Sequence, residues 1–426
     1  MKIKLSLTLC VALAATTLSA MQFQTLGYKS VGMGGAAVAS SSGSFAAYNN
    51  PALLAKTPYN VEVTLGAGIS YEDHGAGASV KDLDDSGFLD SVDRVSGHLS
   101  SASESDKNNL IQGKKVILDM DGDALVVDPQ AELAAQVGSF GFGIFASSNG
   151  VGTSVVDPAY NRLIFKDGVG YSELKDDGNI VRGISKVAYE NSSMEYGLNN
   201  EKIYLELTGL AIAEVPLAYG HSFNLGGNLM IGGAIKYMQG ISYTENYKID
   251  NSGEVSGSDG KRDTTTSTFG IDLGLAYEPS FAKDLTIGLI GKNLNSPKFD
   301  IVDDRGEIEV KPLVRIGVAY DILDSLEVAL DYDITANETL VRNYKSQMLG
   351  GGINWHPTSW LALRGGLMQN THSSDNAGLT YTAGIGAGVK WLQLDLSGQY
   401  SSNEASVDGT SVPEYAKVNL ALISRW

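Results

Sequence analysis

From residue 60 onward, apolar and polar residues alternate with a period of two, the repeat of a β-strand whose two faces meet different media. The first such run places Val61, Val63, Leu65, Ala67, Ile69 and Tyr71 on one face and Glu62, Thr64, Gly66, Gly68, Ser70 and Glu72 on the other. The pattern returns over 133–137, 140–146, 211–219, 229–237, 269–277, 285–291, 314–320, 326–334, 349–355, 361–367, 379–389, 392–400 and 414–426. These runs predict an all-β chain of about fourteen antiparallel strands.

The charges decide which face points where. Apart from Glu414 at the start of the last run, the apolar parity lacks Asp, Glu, Lys and Arg, while the opposite parity carries Glu214, Lys236, Asp272, Lys292, Arg315, Glu327, Asp331, Asp333, Arg364 and Asp395. About eight strands already leave an interior just wide enough for side chains, so a larger barrel with an apolar inside would enclose a void. A charge facing lipid costs roughly 2 to 4 kcal/mol at the midplane, which explains a face purged of charge. The apolar face is therefore expected outside, in a transmembrane antiparallel β-barrel. Tyr219, Tyr277, Tyr320, Trp355 and Trp426 lie on the apolar parity at one end of the runs, and Tyr71, Tyr237, Tyr332, Tyr381 and Tyr400 at the other. Two such belts suit the two membrane interfaces.

Connections alternate in length. Gly138-Ser139, Asp321 to Ser325, His356 to Ser359 and the vicinity of Lys390 are expected as periplasmic turns. Residues 73–129 and 148–206 are expected as long extracellular loops, and connections of that size are usually functional or mobile. Within the first, Phe88, Leu89, Val92, Val95 and Leu99 fall at helical spacing. They predict a short amphipathic helix, either a lid or ligand-collecting surface, or a helix packed on the barrel rim.

Lys2 and Lys4, the apolar run 5–18 and Leu18-Ser19-Ala20 have the three parts of a secretory signal peptide, placing cleavage between Ala20 and Met21. No later stretch approaches the roughly 20 apolar residues of a helical span. The one cysteine, Cys10, falls inside that signal, so sheet closure has to supply the rigidity that disulfides often give exported proteins. The chain of 426 residues is rich in glycine, with 50, and in tyrosine, with 20. Its net charge of -18 argues against nucleic acid as a partner, because phosphate neutralisation needs Lys and Arg clusters.

Catalytic chemistry is sparse. Asp119-Met120-Asp121-Gly122-Asp123 has the acidity of a calcium loop, but its glycine is fourth instead of sixth, and Gln130 stands where the bidentate Glu belongs. A solvated acidic turn is the better reading. The five histidines never pair at ligand spacing. No catalytic residue, metal ligand or cofactor is nominated.

Residues 21–58 contain Gly32, Gly34 and Gly35 in a run of small residues, then Phe45-Ala46-Ala47-Tyr48-Asn49-Asn50-Pro51-Ala52. Gly32, Gly34 and Ala37 loosely match a dinucleotide fingerprint, but no strand precedes them. The segment resembles the N-terminal hatch of the FadL and TodX family of outer-membrane transporters, which carry a glycine-rich run followed by an Asn-Pro-Ala motif. Asn50, Pro51 and Ala52 match that motif, and Leu53 stands where the family usually has Gly. Glu214-Val215-Pro216, 270–274 and 291–297 are further family-like phrases, which also resemble conjugal-transfer TraF-type proteins; the two long loops fit that branch better. The final run, with Leu420, Leu422 and Trp426 on its apolar parity, resembles the terminal assembly signal of bacterial outer-membrane barrels, although an ordinary strand of a soluble sheet alternates in the same way.

The resemblance implies the outer membrane of a Gram-negative bacterium. It also implies contact with lipid, lipopolysaccharide and the barrel-assembly machinery, and a small hydrophobic ligand passing a plugged barrel. The competing expectation is a non-transporting surface or conjugation-related protein that binds a macromolecule through its acidic loops. Gly141 and Gly143, lumen-facing in one run, are expected to mark a kink and lateral exit, or else to make room for the hatch.

Overall fold

The computed structural model describes residues 24–249, 255–257, 263–301, 306–372, 377–389, 391–407 and 410–426. Ala20 and Met21, the expected cleavage site, lie outside them. Fourteen strands form the wall: β1 (Val61–His74), β2 (Ala124–Val137), β3 (Phe140–Val156), β4 (Ile203–Asn224), β5 (Gly227–Ile249), β6 (Asp263–Pro279) and β7 (Leu285–Lys292). The remainder are β8 (Leu313–Leu323), β9 (Leu326–Asp333), β10 (Met348–Thr358), β11 (Leu361–Asn370), β12 (Thr380–Val389), β13 (Leu392–Ser401) and β14 (Tyr415–Arg425). Each pairs antiparallel with its sequence neighbours, and β14 returns to β1 through Arg425 opposite Glu62, Leu422 opposite Leu65 and Tyr415 opposite Glu72. The ring has no open edge. In hydrocarbon that is a requirement, because each unpaired backbone group costs several kcal/mol.

The apolar parity faces outward as the alternation predicts. Leu65, Ile69, Leu217, Ile235, Leu273, Leu394 and Val418 are exposed, whereas Lys236, Asp272, Arg315, Asp333, Arg364, Asp395 and Asn419 are buried in the bore. Leu420, Leu422 and Trp426 share the outer surface. Tyr219, Tyr320, Trp355 and Trp426 are exposed at one rim, and Tyr237, Tyr332, Tyr381 and Tyr400 at the other. Trp360 and Trp391 are also exposed, beside the β10–β11 and β12–β13 turns. They escaped the sequence reading because they sit just outside the alternating runs. His356, expected in a turn, lies instead in the last residues of β10, within the register shift between Trp355 and Thr358.

The wall is uneven. β4 has 22 residues and β5 has 23, about twice the roughly 9–11 needed to cross a bilayer. This half of the barrel therefore rises above the membrane. The long connections are shorter than expected, 75–123 and 157–202, because strands continue through Ala124–Pro129 and Ser148–Val156. Above the membrane neither face meets lipid, so the period of two that marks the spanning part fades.

Both connections fold together into an extracellular cap. The first supplies α3 (Ala76–Ser86), α4 (Phe88–Val95) and α5 (Glu104–Asp119), numbered after the hatch helices α1 (Tyr28–Gly32) and α2 (Ala46–Asn49). The second supplies a small sheet of Leu163–Asp167, Gly170–Leu174 and Ile180–Arg182, then α6 (Lys186–Ser192) and α7 (Met194–Asn199). A capping box starts α5, with Ser103 accepting from the Asp106 N–H and Asp106 accepting from the Ser103 N–H. Its Leu110, Gly113 and Ile117 face inward, and a side chain at Gly113 would run into Phe88, so glycine there lets α4 pack on α5.

Phe88, Val92, Val95 and Leu99 are wholly buried against Leu163, Phe165, Leu174 and Leu198. The amphipathic helix is thus neither a ligand-collecting surface nor a loose rim helix; its apolar face is the core of the cap. The acidic turn is structural as well: Asp121 accepts from the Val156 N–H at 2.8 Å, and Asp123 accepts from the Ser79 hydroxyl. Among the described residues no group of His, Cys, Asp and Glu is placed to hold a metal.

Two outcomes are expected. Unboiled detergent-folded protein should run ahead of its boiled form on a gel and give a sheet-dominated circular dichroism spectrum; a helix-dominated spectrum would refute the barrel. In the cap, Arg162 bonds Glu173 at 2.6 and 2.9 Å, and this pairing, aided by Lys175, holds the Glu173 carboxyl down to about 2 from 4.5. A depressed pKa means that the stabilisation is complete above pH 4.5 and is lost as pH falls toward 2. Pepsin cleavage within the cap should therefore rise across that window, and less steeply in Glu173→Gln.

Candidate functional site

Small residues let the hatch fold tightly enough to enter the bore. Residues 28–56 comprise α1, α2 and two 3-10 turns, Gly43–Phe45 and Pro51–Lys56, and most of their side chains are buried. Gly34 adopts φ +64, and a side chain there would strike Gly351 O, 2.6 Å away. Its neighbours on the wall are glycines too: a side chain at Gly352 would lie 2.8 Å from Met33 Cα, and one at Gly366 would lie 2.7 Å from Gly34 N. Backbone therefore rests on backbone. Gly35, at φ +83, completes the turn, and Gly32 lies against Arg364 and Gly384.

The Asn-Pro-Ala motif is a second anchor. Asn50 Oδ1 accepts from the Ala52 N–H at 3.1 Å and caps the 3-10 turn that Pro51 begins. Its Nδ2 donates to Val38 O at 2.8 Å and to Leu275 O, on β6, at 3.1 Å. Gly220, Gly232 and Gly274 on the wall leave no room for side chains beneath this motif. Leu53, where the resemblance led one to expect glycine, is buried among Ala218, Met230, Ala234 and Ala276.

Polar wall residues hold the rest of the hatch. Asp331 Oδ2 accepts from the N–H groups of Ala37 and Val38 at 2.8 and 2.9 Å. Thr382 Oγ1 accepts from the Gly34 N–H at 2.9 Å, Gln399 donates to Val31 O at 2.9 Å, and Lys417 donates to Thr25 O at 2.8 Å. Glu62 accepts from the Ser44 N–H at 2.9 Å, and Lys29 pairs with Glu327 at 2.6 Å. Around the hatch, the charges that the alternation placed inward find partners. Lys236 lies 2.9 Å from Glu214 and 3.1 Å from Asp272, Arg315 lies 2.6 Å from Asp333, Arg364 lies 2.7 Å from Asp395, and Arg425 lies 2.8 Å from Glu62. A buried charge tolerates its position only when paired in this way.

Gly141 makes room for the hatch. A side chain there would come within 2.7 Å of Ala47 Cβ and 3.0 Å of Leu54. At Gly143 it would meet wall backbone, Leu133 O at 2.5 Å. The β3–β4 ladder pairs Phe142 with Leu217 and resumes at Phe145 with Glu214, skipping Gly143 and Ile144 without a change of register. The opposing residues are Val215 and Pro216, and proline has no N–H to give. The seam is interrupted, but no extra residue bulges out of it. Pro216 was visible in the sequence phrase 214–216; only the register shows which two residues it faces.

The mouth is covered from two sides. The connection between β9 and β10 reaches across the ring: Leu340 and Val341 pack on Ala124, Val126 and Val151, and Arg342 meets Glu206 at 3.3 Å. Tyr344 donates to Glu72 at 3.0 Å, and its ring centroid lies 4.5 Å from that of His74. Phe299, Ile301, Ile308 and Val310, between β7 and β8, fold over Leu210, Ile212 and Met238. Beside the β9–β10 connection, a strap across the mouth, lies a cavity of about 70 Å³ whose lining includes Glu72, Asp128, Tyr344, Met348, Tyr415 and Lys417. Nothing in the alternation singled out this group, because its members come from four strands and a loop.

Removing the Asp331 carboxylate leaves two buried N–H groups without an acceptor, at roughly 1 to 3 kcal/mol each. Asp331→Ala should therefore loosen the hatch and raise conductance in planar bilayers while the barrel stays heat-modifiable; unchanged conductance would show that this anchor is dispensable.

Two solved structures share the fold across nearly the whole chain. The toluene transporter TbuX of Ralstonia pickettii is 14% identical with a TM-score of 0.51, over 94% of this chain and 98% of its own. The deltaS2 mutant of the monoaromatic hydrocarbon channel TodX is 13% identical with a TM-score of 0.50, over 95% and 100%. At such identities the likeness is one of fold, the FadL-type barrel. No curated protein matches the sequence. The family described as F plasmid transfer operon, TraF, protein matches residues 47–333, from the end of the hatch through β9 and so over more than half of the chain. This chain belongs to that TraF family, carried on a FadL-type fourteen-stranded barrel.

Proposed function

We propose that the protein is a plugged transporter of the Gram-negative outer membrane that admits small hydrophobic or amphipathic molecules. The observation that carries this reading is the hatch itself. A barrel serving only as an anchor has no need of a segment threaded through its bore and tied to six strands by replaceable hydrogen bonds. Cargo would enter at the strap, pass the outer face of the hatch and leave sideways through the β3–β4 seam, where Gly143 and Ile144 are unpaired opposite Pro216. Lateral departure suits apolar cargo, because the lower bore is lined with paired charges.

A second reading has its own support. The cap has an apolar core independent of the barrel, and the family match is to TraF. In that reading the cap docks a macromolecule and the barrel holds it at the surface.

Uptake decides between them. Cys10 is the only cysteine in the sequence, so Ile144→Cys with Val215→Cys would give one disulfide across the seam. Cells lacking other routes should take up radiolabelled toluene through the wild-type protein, lose that uptake when the double variant is oxidised, and regain it on reduction. Unchanged uptake by the oxidised form would eliminate the lateral route. Absence of toluene uptake by folded wild-type protein would refute transport of apolar molecules and favour the docking reading.

A further inference from the structure

The cavity beside the strap has an unmet chemical demand. Asp128, Ser70 and Lys417 lie in one row across β2, β1 and β14, and the small Ser70 leaves the two charged side chains facing each other over it. Asp128 is 4% exposed. Its Oδ2 accepts from Gln130 Nε2 at 2.9 Å, but Oδ1 has no donor, and neither has the adjacent Gln130 Oε1. One N–H of the Lys417 ammonium donates to Thr25 O, the Ser148 N–H also faces the Asp128 carboxylate, and among the described residues no cation lies within ion-pair distance of Asp128. A buried carboxylate oxygen without a donor costs more than most folds tolerate, so the cavity calls for something that brings N–H or O–H groups.

Charge and size narrow the class. The lining holds two carboxylates, Glu72 and Asp128, against one ammonium, Lys417. An anion would be disfavoured. A volume of about 70 Å³ is about half that of a cavity of ~150 Å³ that holds benzene, so an aromatic hydrocarbon is too large for the site as it stands. It does have room for a polar head with one or two carbons. Two methionines, Met348 and Met368, and the rings of Tyr344 and Tyr415 supply the rest of the wall. Thioethers adapt to an alkyl chain, and tyrosine rings attract a cation.

We propose that this cavity binds the ammonium head of a small primary alkylamine, with Asp128 Oδ1 accepting its N–H and the chain lying along Met348 and Met368. The inference deepens the transport reading by naming a cargo class and rests on that reading for its physiological sense. Binding itself can be tested without transport.

The experiment is calorimetric titration of the full-length protein in detergent with ethylammonium, and with ethanol as a neutral partner of similar shape. Ethylammonium should bind, ethanol should bind at least about tenfold more weakly, and Asp128→Asn should weaken ethylammonium by about tenfold or more, the loss expected of one charge-assisted hydrogen bond. Met348→Trp, which fills the cavity from a different strand, should abolish the same heat, and it serves if Asp128→Asn fails the gel test of folding. No binding by folded wild-type protein would mean that water alone fills the site and would overturn the proposal. Equal binding of ethanol, or undiminished binding by both folded variants, would overturn it too. Retained binding without uptake in cells would count against transport alone, and uptake without binding would count against this inference alone.

Discussion

Backbone hydrogen bonds have no alternative partner in hydrocarbon, so the sheet has to close, and closure through β14 and β1 governs everything else in the molecule. A ring of fourteen strands is too wide for its own side chains to fill. The bore must then be occupied by other means, and the protein does so with the hatch, with ion pairs between neighbouring strands and with two inward-folding loops. The arrangement is self-consistent: inward charges would be intolerable on the lipid side, and the hatch would have little to grip if the bore were apolar.

Glycine serves this arrangement in a specific way. Where Gly34 lies over Gly352 and Gly366 both surfaces lack side chains, and where the Pro51 backbone lies over Gly220 and Gly232 the wall lacks them, so the chains approach closely. Elsewhere the contact is made by long polar side chains, Asp331, Gln399 and Lys417, that reach from the wall to hatch backbone. The first kind of contact sets position; the second can be exchanged for water or a ligand. A plug held by both has a firm seat and a polar grip.

The extracellular half obeys different rules. Once β2 to β5 pass beyond the membrane, burial no longer depends on lipid, and an ordinary globular core forms from α4, α5 and the sheet of the second loop. Its polar ties, such as Arg162 with Glu173, behave as they would in a soluble protein and respond to pH. Cap and bore are thus governed by different solvents, and a single chain supplies both.

The sequence alone determined the strand number, the outward face, the inward charges and the hatch, because each follows from a local rule: a period of two, the cost of charge in lipid, a motif of adjacent residues. The fold likewise matches the alternation residue by residue from Val61 to Tyr71 and from Tyr415 to Arg425. Tertiary structure decided what depends on residues far apart in the chain. Phe88 and Val92 read as an amphipathic face, but α5 of the same connection and the second loop, about 75 residues on, together bury them. Gly141 and Gly143 look alike in sequence, yet one faces Leu54 of the hatch and the other faces wall backbone beside a ladder gap made by Pro216. Asp128, Lys417 and Tyr344 are each unremarkable polar residues; closure of the ring and the strap crossing it bring them to one cavity, and no local pattern records a contact made by closing a circle.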